Sequence, residues 1–584
     1  MERTNIIKGI EKRMSTSDID ILIIPTEDPH LSEYPAQHWK LRQLISGFTG
    51  SNGLLILSKY GNGLWTDSRY FLQAEKELEE TGIVMYKDTE SSWLSWLKNI
   101  PQGSRIGING LCFSQKDVEK LESLCQSNHL SLNTNFILPE ENELPPLPCS
   151  NIFVHDTKYE GRSFQEKKDL IFHHCSSDYL LLAALDEIAW VFNLRASDID
   201  YNPMPIAYAL LGKCESHLFL CNNALNADTS KYLSDNNITT HPYENIFEFV
   251  SSISQNHTIS VDPQKTNFTL YNNVEKSHLT RENSPIERLK SIKSVSEIKC
   301  VENAELKDGI ALTRAFVEIS ERMEHHQKTT ERDISAILLK HRSAQDGFFC
   351  ESFSTIAGYG SNGAIVHYNP EQGNNAVVGK ESLLLVDSGA NYLDGTTDIT
   401  RVFCFGEPTE QQKRDYTAVL KGHIAIATCR FPYGTEGAHI DALARQFLWQ
   451  EGLDYGHGTG HGIGFFLCVH EGPQRINRHF SGVKLEEGML LSDEPGIYRT
   501  NQYGIRIENM VAVEKYKETE FGKFLQFKTL TLFPYERKLI QTDLLTQEEM
   551  DWINQYHQRV YNAIAPHLTN EKELMWLKNV TKEL

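Results

Sequence analysis

The segment 456–464, GHGTGHGIG, constrains the fold of this chain more than any other stretch, because five of its nine residues are glycine. Each glycine inside a helix costs about 1 kcal/mol relative to alanine, so we predict that the segment is extended. Its two histidines, His457 and His461, are four residues apart. A loop that cradles phosphate, a metal site of the H-x-x-x-H type and a structural turn are three interpretations of such a segment.

Strand geometry separates the roles of the two histidines. In a strand, residues i and i+4 point to one face but lie about 13 Å apart at roughly 3.3 Å per residue. Imidazole nitrogens bind a metal at about 2.1 Å, so at most one of the pair is a ligand unless the strand bends sharply. The other histidine then faces the substrate, and we expect the bare glycines to leave room for a peptide between them. A phosphate loop is disfavoured, because no Gly-Lys-Ser/Thr follows and the neighbouring charges are acidic.

Acidic residues occur within apolar strand-like segments nearby. The segment 383–403, LLLVDSGANYLDGTTDITRVF, predicts a strand that ends at Asp387, a turn at Asp394-Gly395 and a second strand that carries Asp398. Antiparallel pairing of these strands would place Asp387 and Asp398 close together. Asp394 is explained as a turn residue.

Two further acids have similar surroundings: Glu494 in MLLSDEPGIY and Glu508 in GIRIENMVAV. Alternation in the second segment places Arg506 and Glu508 on one strand face. Each acid alone is more commonly a paired surface residue, but carboxylates among apolar residues must be compensated. Two divalent ions would offset four carboxylates, and oxygen ligands with one imidazole suit Mn, Co, Fe or Zn in a two-metal site.

A second glycine pattern, Gly358-x-Gly360-x-x-Gly363, formally matches the dinucleotide-binding fingerprint and follows a strand-like segment. The fingerprint requires a helix directly afterwards. The residues that follow, AIVHYNP, are instead predicted to be extended. We therefore interpret these glycines as turn residues.

Length, charge and cysteine usage exclude several classes of protein. The 584 residues predict two to four domains, and a formal net charge of −21 argues against a nucleic-acid or anionic-membrane binder. The N-terminus lacks the apolar stretch of a signal peptide, and no apolar run approaches the roughly 18 residues that span a bilayer, so we expect a cytoplasmic protein. Eleven cysteines without a CxxC predict reduced thiols, with neither a disulfide nor a cysteine zinc site.

The texture of the sequence divides the chain into three predicted domains. The first, 1–147, mixes strand and helix patterns and ends at the proline-rich ENELPPLP. The second, 148–293, has a similar texture without strong identity, which is consistent with an ancient duplication. The third, 294–584, opens with a capping box from Ser294 to Glu297. It includes a C-terminal extension from about residue 525 with a second capping box, Thr546 to Glu549.

Seven motifs, taken in order, resemble those of the pita-bread metallopeptidases. They are His367-Tyr-Asn-Pro370, Val386-Asp-Ser-Gly389, Thr397-Asp-Ile-Thr-Arg401, Gly456-His-Gly-Thr-Gly-His-Gly462, Val469-His-Glu-Gly-Pro473, Glu494-Pro-Gly496 and Ile505-Arg-Ile-Glu508. Within that group, further segments are similar to the long three-domain Xaa-Pro aminopeptidases, also called aminopeptidase P. These are Ser46-Gly-Phe-Thr-Gly-Ser51, Trp65-Thr-Asp-Ser-Arg-Tyr-Phe71, the segment 186–195 and the segment 545–554. The resemblance covers essentially the whole chain.

The resemblance implies a mixed α/β and α+β fold, with two creatinase-like (ribonuclease H-like) N-terminal domains before a C-terminal pita-bread catalytic domain. It implies two divalent metal ions per subunit, Mn²⁺ in typical members, with Co²⁺ and Zn²⁺ as alternatives. The implied metal ligands are Asp387, Asp398, His461, Glu494 and Glu508. The implied catalytic residues are His367, His457, His470 and Glu494.

The implied reaction is hydrolysis of the first bond of peptides that carry proline at position two, by a hydroxide that bridges the metals. Glu494 would transfer protons, while His367 and His470 would stabilise or protonate the tetrahedral intermediate. The resemblance also implies a homodimer, with neither a nucleic-acid nor a membrane partner. Further expected contacts come from residues that orient an acidic ligand or touch the substrate, namely Arg506, Tyr498 and Arg69.

Three alternatives share parts of this pattern. Prolidases cleave Xaa-Pro dipeptides with the same ligand set, but they generally lack one of the two N-terminal domains. Methionine aminopeptidases share the catalytic fold without the long N-terminal region. Non-catalytic pita-bread modules that bind proteins have lost the metal ligands, whereas all five ligand positions are retained in this chain.

Overall fold

The computed structural model describes residues 2–138, 144–221 and 223–584, so the predicted linker ENELPPLP lies partly outside the described residues. The chain forms two compact units. The first comprises the residues up to Asp156 and those from Arg162 to Ile286, and the second comprises Thr157–Gly161 and Glu287–Leu584. The mixed α and β content agrees with the predicted fold class. Within the described residues, no helix combines the length and the apolar character needed to cross a bilayer.

Two six-stranded sheets form the framework of the first unit. The strands of the first sheet are β1 (Ile21–Ile24), β2 (Leu54–Ser58), β3 (Asn62–Thr66), β4 (Ile83–Lys87), β5 (Arg105–Gly107) and β6 (Ser131–Asn133). The strands of the second are β8 (Tyr179–Leu182), β10 (Ala207–Gly212), β11 (Ser216–Leu220), β12 (Ile238–Pro242), β13 (Ile259–Val261) and β14 (Leu279–Arg281). A separate pair joins β7 (Phe153–Val154) to β9 (Leu194–Arg195).

The two six-stranded sheets have the same topology. Their orders are β4-β3-β2-β1-β5-β6 and β12-β11-β10-β8-β13-β14. In each sheet the second, third and fourth strands in this order pair antiparallel, and the outer pairings are parallel. This correspondence supports the duplication that the similar texture of the two segments suggested. The boundaries of the three predicted domains themselves stay predictions.

Short helices accompany these sheets in the first unit. They are α1 (Glu2–Thr16), α2 (Leu41–Ser46), α3 (Phe71–Glu77), α4 (Trp93–Leu97), α5 (Gln115–Ser127), α7 (Phe164–Phe172), α8 (Leu185–Val191), α9 (Ala227–Asp235), α10 (Ile246–Ile253) and α11 (Phe268–Tyr271). The strands β1 and β2 are buried along most of their length, as their runs of Ile and Leu predict.

One disulfide, between Cys149 and Cys221, overturns the expectation that the chain contains none. The cause is a long-range pairing that no local pattern reveals, since 72 residues separate the two cysteines. Ile152 N–H donates to the carbonyl of Ala224 at 2.8 Å, and this contact brings the segments that hold both cysteines together.

The second unit combines long helices with small sheets. Its helices are α6 (Thr157–Glu160), α12 (Ile286–Ser291, which begins at the junction of the units), α13 (Val295–Glu324), α14 (Glu331–Ser343), α15 (Glu410–Ala427), α16 (Gly437–Gln450), α17 (Gln547–Ile564) and α18 (Glu571–Val580). Its strands are β15 (Phe348–Glu351), β16 (Ile356–Tyr359), β17 (Leu384–Ser388), β18 (Ala390–Tyr392), β19 (Gly395–Thr396), β20 (Ile399–Phe403), β21 (Arg430–Pro432), β22 (Gly460–His461), β23 (Arg475–Ile476), β24 (Leu490–Asp493), β25 (Gly496–Arg499), β26 (Tyr503–Arg506), β27 (Asn509–Thr519) and β28 (Gly522–Thr529).

One arrangement, a pair of packed helices followed by strands, occurs twice along the second unit. The packed helices α13 and α14 precede β15 to β20, and the packed helices α15 and α16 precede β22 to β28. Both predicted capping boxes are confirmed, at the start of α13 and of α17. One face of α17 packs in the core of the second unit, where Ile553, Val560 and Ile564 are fully buried.

Candidate metal centre

Two of the predicted acids are positioned by neighbouring strands. β17 and β20 pair antiparallel, as the sequence predicted, with Asp387 opposite Thr400. Asp398 directly precedes β20. In this register the two carboxylates lie close enough for the charge of Asp387 to raise the pKa of Asp398. The sheet therefore presents both acids at one end.

Asp394, interpreted from the sequence as a turn residue, is buried and paired. Its carboxylate accepts hydrogen bonds from Lys307 Nζ at 2.9 Å and from Asn303 Nδ2 at 2.5 Å. Both donors lie on α13. Asp394 thus ties the β18–β19 hairpin to that helix, a contact that the local turn pattern does not predict.

Asp398, His461 and Glu508 are the centre of the candidate metal site. One ligand atom from each of the three lies within 4.8 Å of the other two. His461 Nε2 is 3.5 Å from Asp398 Oδ2 and 3.6 Å from Glu494 Oε1. Asp398, Glu508 and the nearby Asp387 are all buried. Four carboxylates and one imidazole therefore converge on one place.

Burial and mutual repulsion disfavour the charged forms of these acids. The pKa of Asp398 is raised well above its ordinary value, first by burial and then by the three neighbouring carboxylates. The pKa of Glu508 moves in the same direction for the same reasons, and burial raises the pKa of Glu494 to about 7. A bound cation would oppose these shifts, because it stabilises the ionised carboxylates.

Asp387 provides a direct test of whether this donor set fits a cation. Its Oδ2 accepts a hydrogen bond from Arg506 Nη2 at 2.6 Å. Its buried Oδ1 has no hydrogen-bond partner among the described residues. Leaving a buried carboxylate oxygen unpaired is costly, and a metal ion removes that cost. The residues present therefore fit a divalent metal with oxygen and imidazole ligands.

Arg506 and Thr400 fix the orientation of the acids. Arg506 is fully buried and, besides Asp387, donates to Tyr498 Oη at 2.6 Å and to Thr400 Oγ1 at 3.1 Å. Thr400 Oγ1 donates to Glu508 Oε2 at 2.7 Å. The expected contact of Arg506 with an acidic residue is present. Thr400 was not singled out from the sequence, although it lies in the motif that carries Asp398.

The glycine-rich segment is bare because neighbouring backbone lies against it. A Cβ on Gly460 would lie 2.0 Å from the carbonyl oxygen of Ser492, and one on Gly462 would lie 2.0 Å from that of Glu471. β22 pairs with β23, and Gly462 forms a bridge with Leu491. The predicted extended conformation is confirmed around His461. The expectation that these glycines leave room for a peptide is wrong at Gly460 and Gly462, where protein backbone fills the space.

The buried ion pair of Arg445 and Asp441 is bonded to the glycine-rich segment. Arg445 pairs with Asp441 at 2.7 Å and donates to the carbonyl of His457 at 2.8 Å. Asp441 in turn accepts from Thr459 Oγ1 at 2.6 Å. Glu494 N–H donates to the carbonyl of Thr459 at 2.7 Å. This network links the glycine segment to a predicted ligand.

The two histidines of the segment have different neighbours. His461 faces the acids, as given above, whereas His457 Nε2 lies 2.8 Å from Tyr498 Oη. Tyr498 Oη also accepts from Arg506. His470 is stacked edge-on against His461, with ring centroids 4.4 Å apart. The half-buried His367 follows Val366, whose carbonyl accepts from Arg506 Nη2 at 3.3 Å.

Glu471, next to His470, is held by two buried lysines. Lys290 Nζ lies 2.8 Å from Glu471 Oε2, and Lys293 Nζ lies 2.6 Å from Oε1. All three side chains are almost completely buried. Sequence reasoning missed this cluster, because the lysines precede the third predicted domain and lie far from Glu471 in the chain.

Two other predicted features involve residues outside the cluster of acids. Arg69 belongs to the first unit, where it forms a two-point ion pair with Asp67 at 2.9 and 2.7 Å. The glycine pattern from Gly358 to Gly363 ends in a short 3₁₀ turn, Gly360–Ala364, and no α-helix follows it directly. The rejection of a dinucleotide fingerprint is therefore confirmed, although the residues after β16 form a turn rather than an extended segment.

Comparison with known proteins assigns the family. Residues 299–515 match the model of metallopeptidase family M24, and 523–584 match the C-terminal region of that peptidase family. Residues 7–136 and 143–297 each match a creatinase/prolidase N-terminal domain. The two creatinase-like regions and the catalytic region implied by the resemblance are thus present.

Full-length relatives refine this assignment. The chain is 38% identical to Xaa-Pro aminopeptidase 1 of Dictyostelium discoideum, covering 100% of this chain and 97% of that protein. It is 37% identical to aminopeptidase P2 of Arabidopsis thaliana, covering 97% and 86% of the two chains. The crystal structure of X-prolyl aminopeptidase from Caenorhabditis elegans, described as a cytosolic enzyme with a di-nuclear active site, matches with a TM-score of 0.92 and 30% identity. That match covers 97% of this chain and 95% of the other.

The fold and the cluster of carboxylates at or next to strand ends around one imidazole define a metallopeptidase of family M24. The match to these relatives extends over nearly the full length of both chains, the N-terminal region included. The chain belongs to the Xaa-Pro aminopeptidase family.

Proposed function

We propose that this protein is a two-metal aminopeptidase that releases the N-terminal residue from peptides with proline at position two. The observation that carries the proposal is the convergence of Asp387, Asp398, Glu494 and Glu508 with His461, in which a buried oxygen of Asp387 has no partner among the described residues. Four negative charges around one point need cations. The full-length relatives named as Xaa-Pro aminopeptidases support the substrate class.

The five converging residues are the proposed metal ligands, and each is backed by a hydrogen bond or by the strand register. Asp387 is oriented by Arg506, and Glu508 is oriented by Thr400. Such outer contacts fix ligand geometry and metal affinity. Divalent ions bound there would supply Lewis acidity at the scissile carbonyl. We propose Mn²⁺ as the native metal, with Co²⁺ and Zn²⁺ as alternatives that this donor set also accepts.

Glu494 is the proposed residue that holds and moves a proton. Its side chain is 18% exposed, so it reaches both the acids and the open side of the site. Burial raises its pKa to about 7, so its surroundings favour uptake of a proton. Metal binding would lower that pKa while keeping the carboxylate in place.

His367, His457 and His470 are proposed to contact the substrate rather than the metals. Imidazole N–H groups placed beside the scissile bond stabilise negative charge that develops on the carbonyl oxygen. His457 shares the hydroxyl of Tyr498 with Arg506, so its position is tied to the oriented ligand Asp387. The acidic surroundings would also attract the free α-amine of a peptide, which favours cleavage at the N-terminus.

The cellular and quaternary parts of the proposal rest on the family. We propose that the protein acts in the cytoplasm as a homodimer, in line with the C. elegans relative, which is described as cytosolic. Light scattering of the purified protein measures the oligomeric state. A monomer at the concentration used in the activity assay would contradict the proposed dimer and leave the proposed reaction unaffected.

A peptide panel tests the activity. Metal-free protein is reconstituted with Mn²⁺, Co²⁺ or Zn²⁺ and assayed on Xaa-Pro-Pro, Xaa-Ala-Pro and the dipeptide Xaa-Pro. The proposal predicts release of Xaa from the first peptide, little cleavage of the second and slower cleavage of the dipeptide. Preference for the dipeptide would instead identify a prolidase, and no cleavage of any peptide with any metal would favour a non-catalytic role.

A further inference from the structure

His367 lies in the loop 360–383, which connects β16 to β17. A single buried carboxylate, that of Glu331, forms hydrogen bonds with several residues of this loop. Glu331 is fully buried and accepts hydrogen bonds from three separate backbone or hydroxyl donors at 2.7 Å each: Tyr359 N–H, Tyr368 O–H and Ala376 N–H. The side-chain amide of Asn362 donates to it as well, at 2.8 and 3.1 Å. These contacts join the end of β16 to three positions further along the loop, as far as Ala376.

These donors to Glu331 are all neutral. A buried carboxylate loses its hydration, and hydrogen bonds from several N–H and O–H groups replace it. Glu331 is also the first residue of α14, where the helix dipole favours negative charge. The carboxylate is therefore stable in place and acts as a fixed hub for the loop.

Neighbouring contacts reinforce the same attachment. Arg332, the second residue of α14, donates to the carbonyl oxygens of Pro370 and Glu371 at 2.9 Å each. The backbone N–H of Glu331 donates to the carbonyl of Ala376 at 3.1 Å. The first turn of α14 thus holds the loop through these contacts as well.

His367 lies between two anchors. On one side Val366 is bonded to Arg506, which orients Asp387. On the other side the buried ring of Tyr368 packs in the core of the second unit and its hydroxyl donates to Glu331. The imidazole is therefore held relative to the metal ligands by the residues directly before and after it.

We propose that Glu331 is a positioning residue for His367. It reaches no reacting atom, and it acts through Tyr368 by fixing where the imidazole meets the substrate carbonyl. The inference rests on the proposed function, in which His367 stabilises the reacting peptide. The sequence gives no hint of this role, because Glu331 follows the capping residue Thr330 and is explained there as an ordinary acid of a first helical turn.

A double-mutant cycle on the full-length protein with restored metal tests the proposal. Glu331→Gln keeps the shape of the side chain but presents N–H groups to donors, so the loop shifts. We expect kcat to fall roughly 10- to 100-fold, since displacing a catalytic group by about 1 Å has effects of that size. Substrate KM and the number of bound metal ions should stay near those of the wild type.

The decisive readout is coupling with His367→Ala. If Glu331 acts through His367, Glu331→Gln should lower kcat by less than about 3-fold in the His367→Ala background, because the effects of coupled residues do not add. Tyr368→Phe, which removes only the hydroxyl, should show the same coupling with a smaller loss. It keeps the test valid if Glu331→Gln folds poorly.

Asp333→Ala is the matched control. Asp333 lies in the same turn and closes the capping box with Thr330, without a bond to the His367 loop. This change should lower the melting temperature and leave kcat within about 2-fold, since capping acts on helix stability. Full multiplication of the Glu331→Gln and His367→Ala effects would overturn the inference alone. A His367→Ala protein with wild-type kcat would overturn the catalytic role of His367, on which the inference rests.

Discussion

The acids and the histidines of the candidate site are held by different kinds of structure. Asp387 lies in β17, Asp398 directly precedes the paired strand β20, and Glu508 is bonded to Thr400 of β20. The proposed substrate-facing histidines lie instead on loops, and each loop has its own brace. The braces are Glu331 for His367, Arg445 with Tyr498 for His457, and Glu471 with two lysines for His470.

This difference teaches how the two tasks are separated. A sheet fixes the spacing of several ligands at once, which a pair of closely spaced metals requires. Loops can approach a substrate from several sides, but each needs a rigid attachment to keep its geometry. Changes on the strand side should therefore affect metal binding, and changes on the loop side should affect turnover with the metal still bound.

The largest expected effect is the loss of a strand-side ligand. Glu508→Gln or Asp398→Asn should lower kcat/KM for an Xaa-Pro-Pro peptide by roughly 10³-fold or more, because a metal contribution of several kcal/mol is removed. Steady-state kinetics with added Mn²⁺ measures the loss. Activity within about 10-fold of the wild type would exclude these residues as ligands.

The next largest effect concerns a loop-side histidine. His367→Ala should lower kcat by about 10²- to 10³-fold, the size expected when one donor to the developing oxyanion is lost. Metal content should be unchanged, in contrast to Glu508→Gln. A change in KM with unaltered kcat would show that His367 contributes to uniform binding only.

The free energy of unfolding should distinguish the buried ion pair of Lys293 and Glu471 from an ion pair at the surface. Lys293→Met leaves the buried Glu471 with a single lysine and should lower the free energy of unfolding by about 3 kcal/mol, as for other broken buried pairs. Lys528→Met, which removes an exposed pair with Glu302, should cost less than about 1 kcal/mol. Chemical denaturation of both variants makes the comparison. Equal losses would mean that the Lys293 contact contributes no more than a surface contact.

Two glycines of the opening segment provide a further matched pair. Gly460→Ala places a Cβ 2.0 Å from the Ser492 carbonyl oxygen, whereas the nearest atom to a Cβ on Gly458 is the side-chain amide of Asn477 at 3.1 Å. Overpacking of this kind costs about 1–3 kcal/mol, so Gly460→Ala should be destabilised and should lose metal affinity. Gly458→Ala should stay close to the wild type. Similar melting temperatures for the two variants would contradict this account of the glycines.

The smallest expected effect is a pH dependence of folding stability that arises at His557 on α17. Burial lowers the pKa of His557 to about 4, and its Nε2 accepts from Tyr535 N–H at 3.2 Å. The fold thus favours the neutral form of His557. The contribution of this histidine to folding stability is complete above about pH 6.5 and is lost as pH falls towards 4. Between pH 7 and 5 the loss should be roughly 2 kcal/mol. His557→Gln should flatten this part of the stability profile, and an unchanged profile would exclude the effect.

The sequence predicted the parts of the site that depend on local pattern. Alternation and apolar runs indicated the two paired strands next to Asp387 and Asp398, although the second strand begins just after Asp398 rather than carrying it. Glycine content indicated that the segment around His461 is extended. Strand spacing also separated His457 from His461. The motifs then supplied the family, from which the ligand set follows as an expectation.

The sequence could not predict features that depend on contacts between distant segments. The Cys149–Cys221 disulfide, the Lys290 and Lys293 contacts to Glu471, and the hub formed by Glu331 all join residues that no local periodicity relates. The glycines of the 456–464 segment were predicted to be extended for a correct local reason. Their tight packing against Ser492 and Glu471 depends on the topology of β22 and β24.

Metal content, measured side by side in two variants, tests the central claim most directly. Elemental analysis is made on wild type, Glu508→Gln and His367→Ala after the same loading with Mn²⁺ and removal of free metal. The account predicts two bound ions per chain in the wild type and in His367→Ala, and fewer than two in Glu508→Gln. Two retained ions in Glu508→Gln, or loss of metal in His367→Ala, would contradict the separation of metal-binding strands from substrate-facing loops.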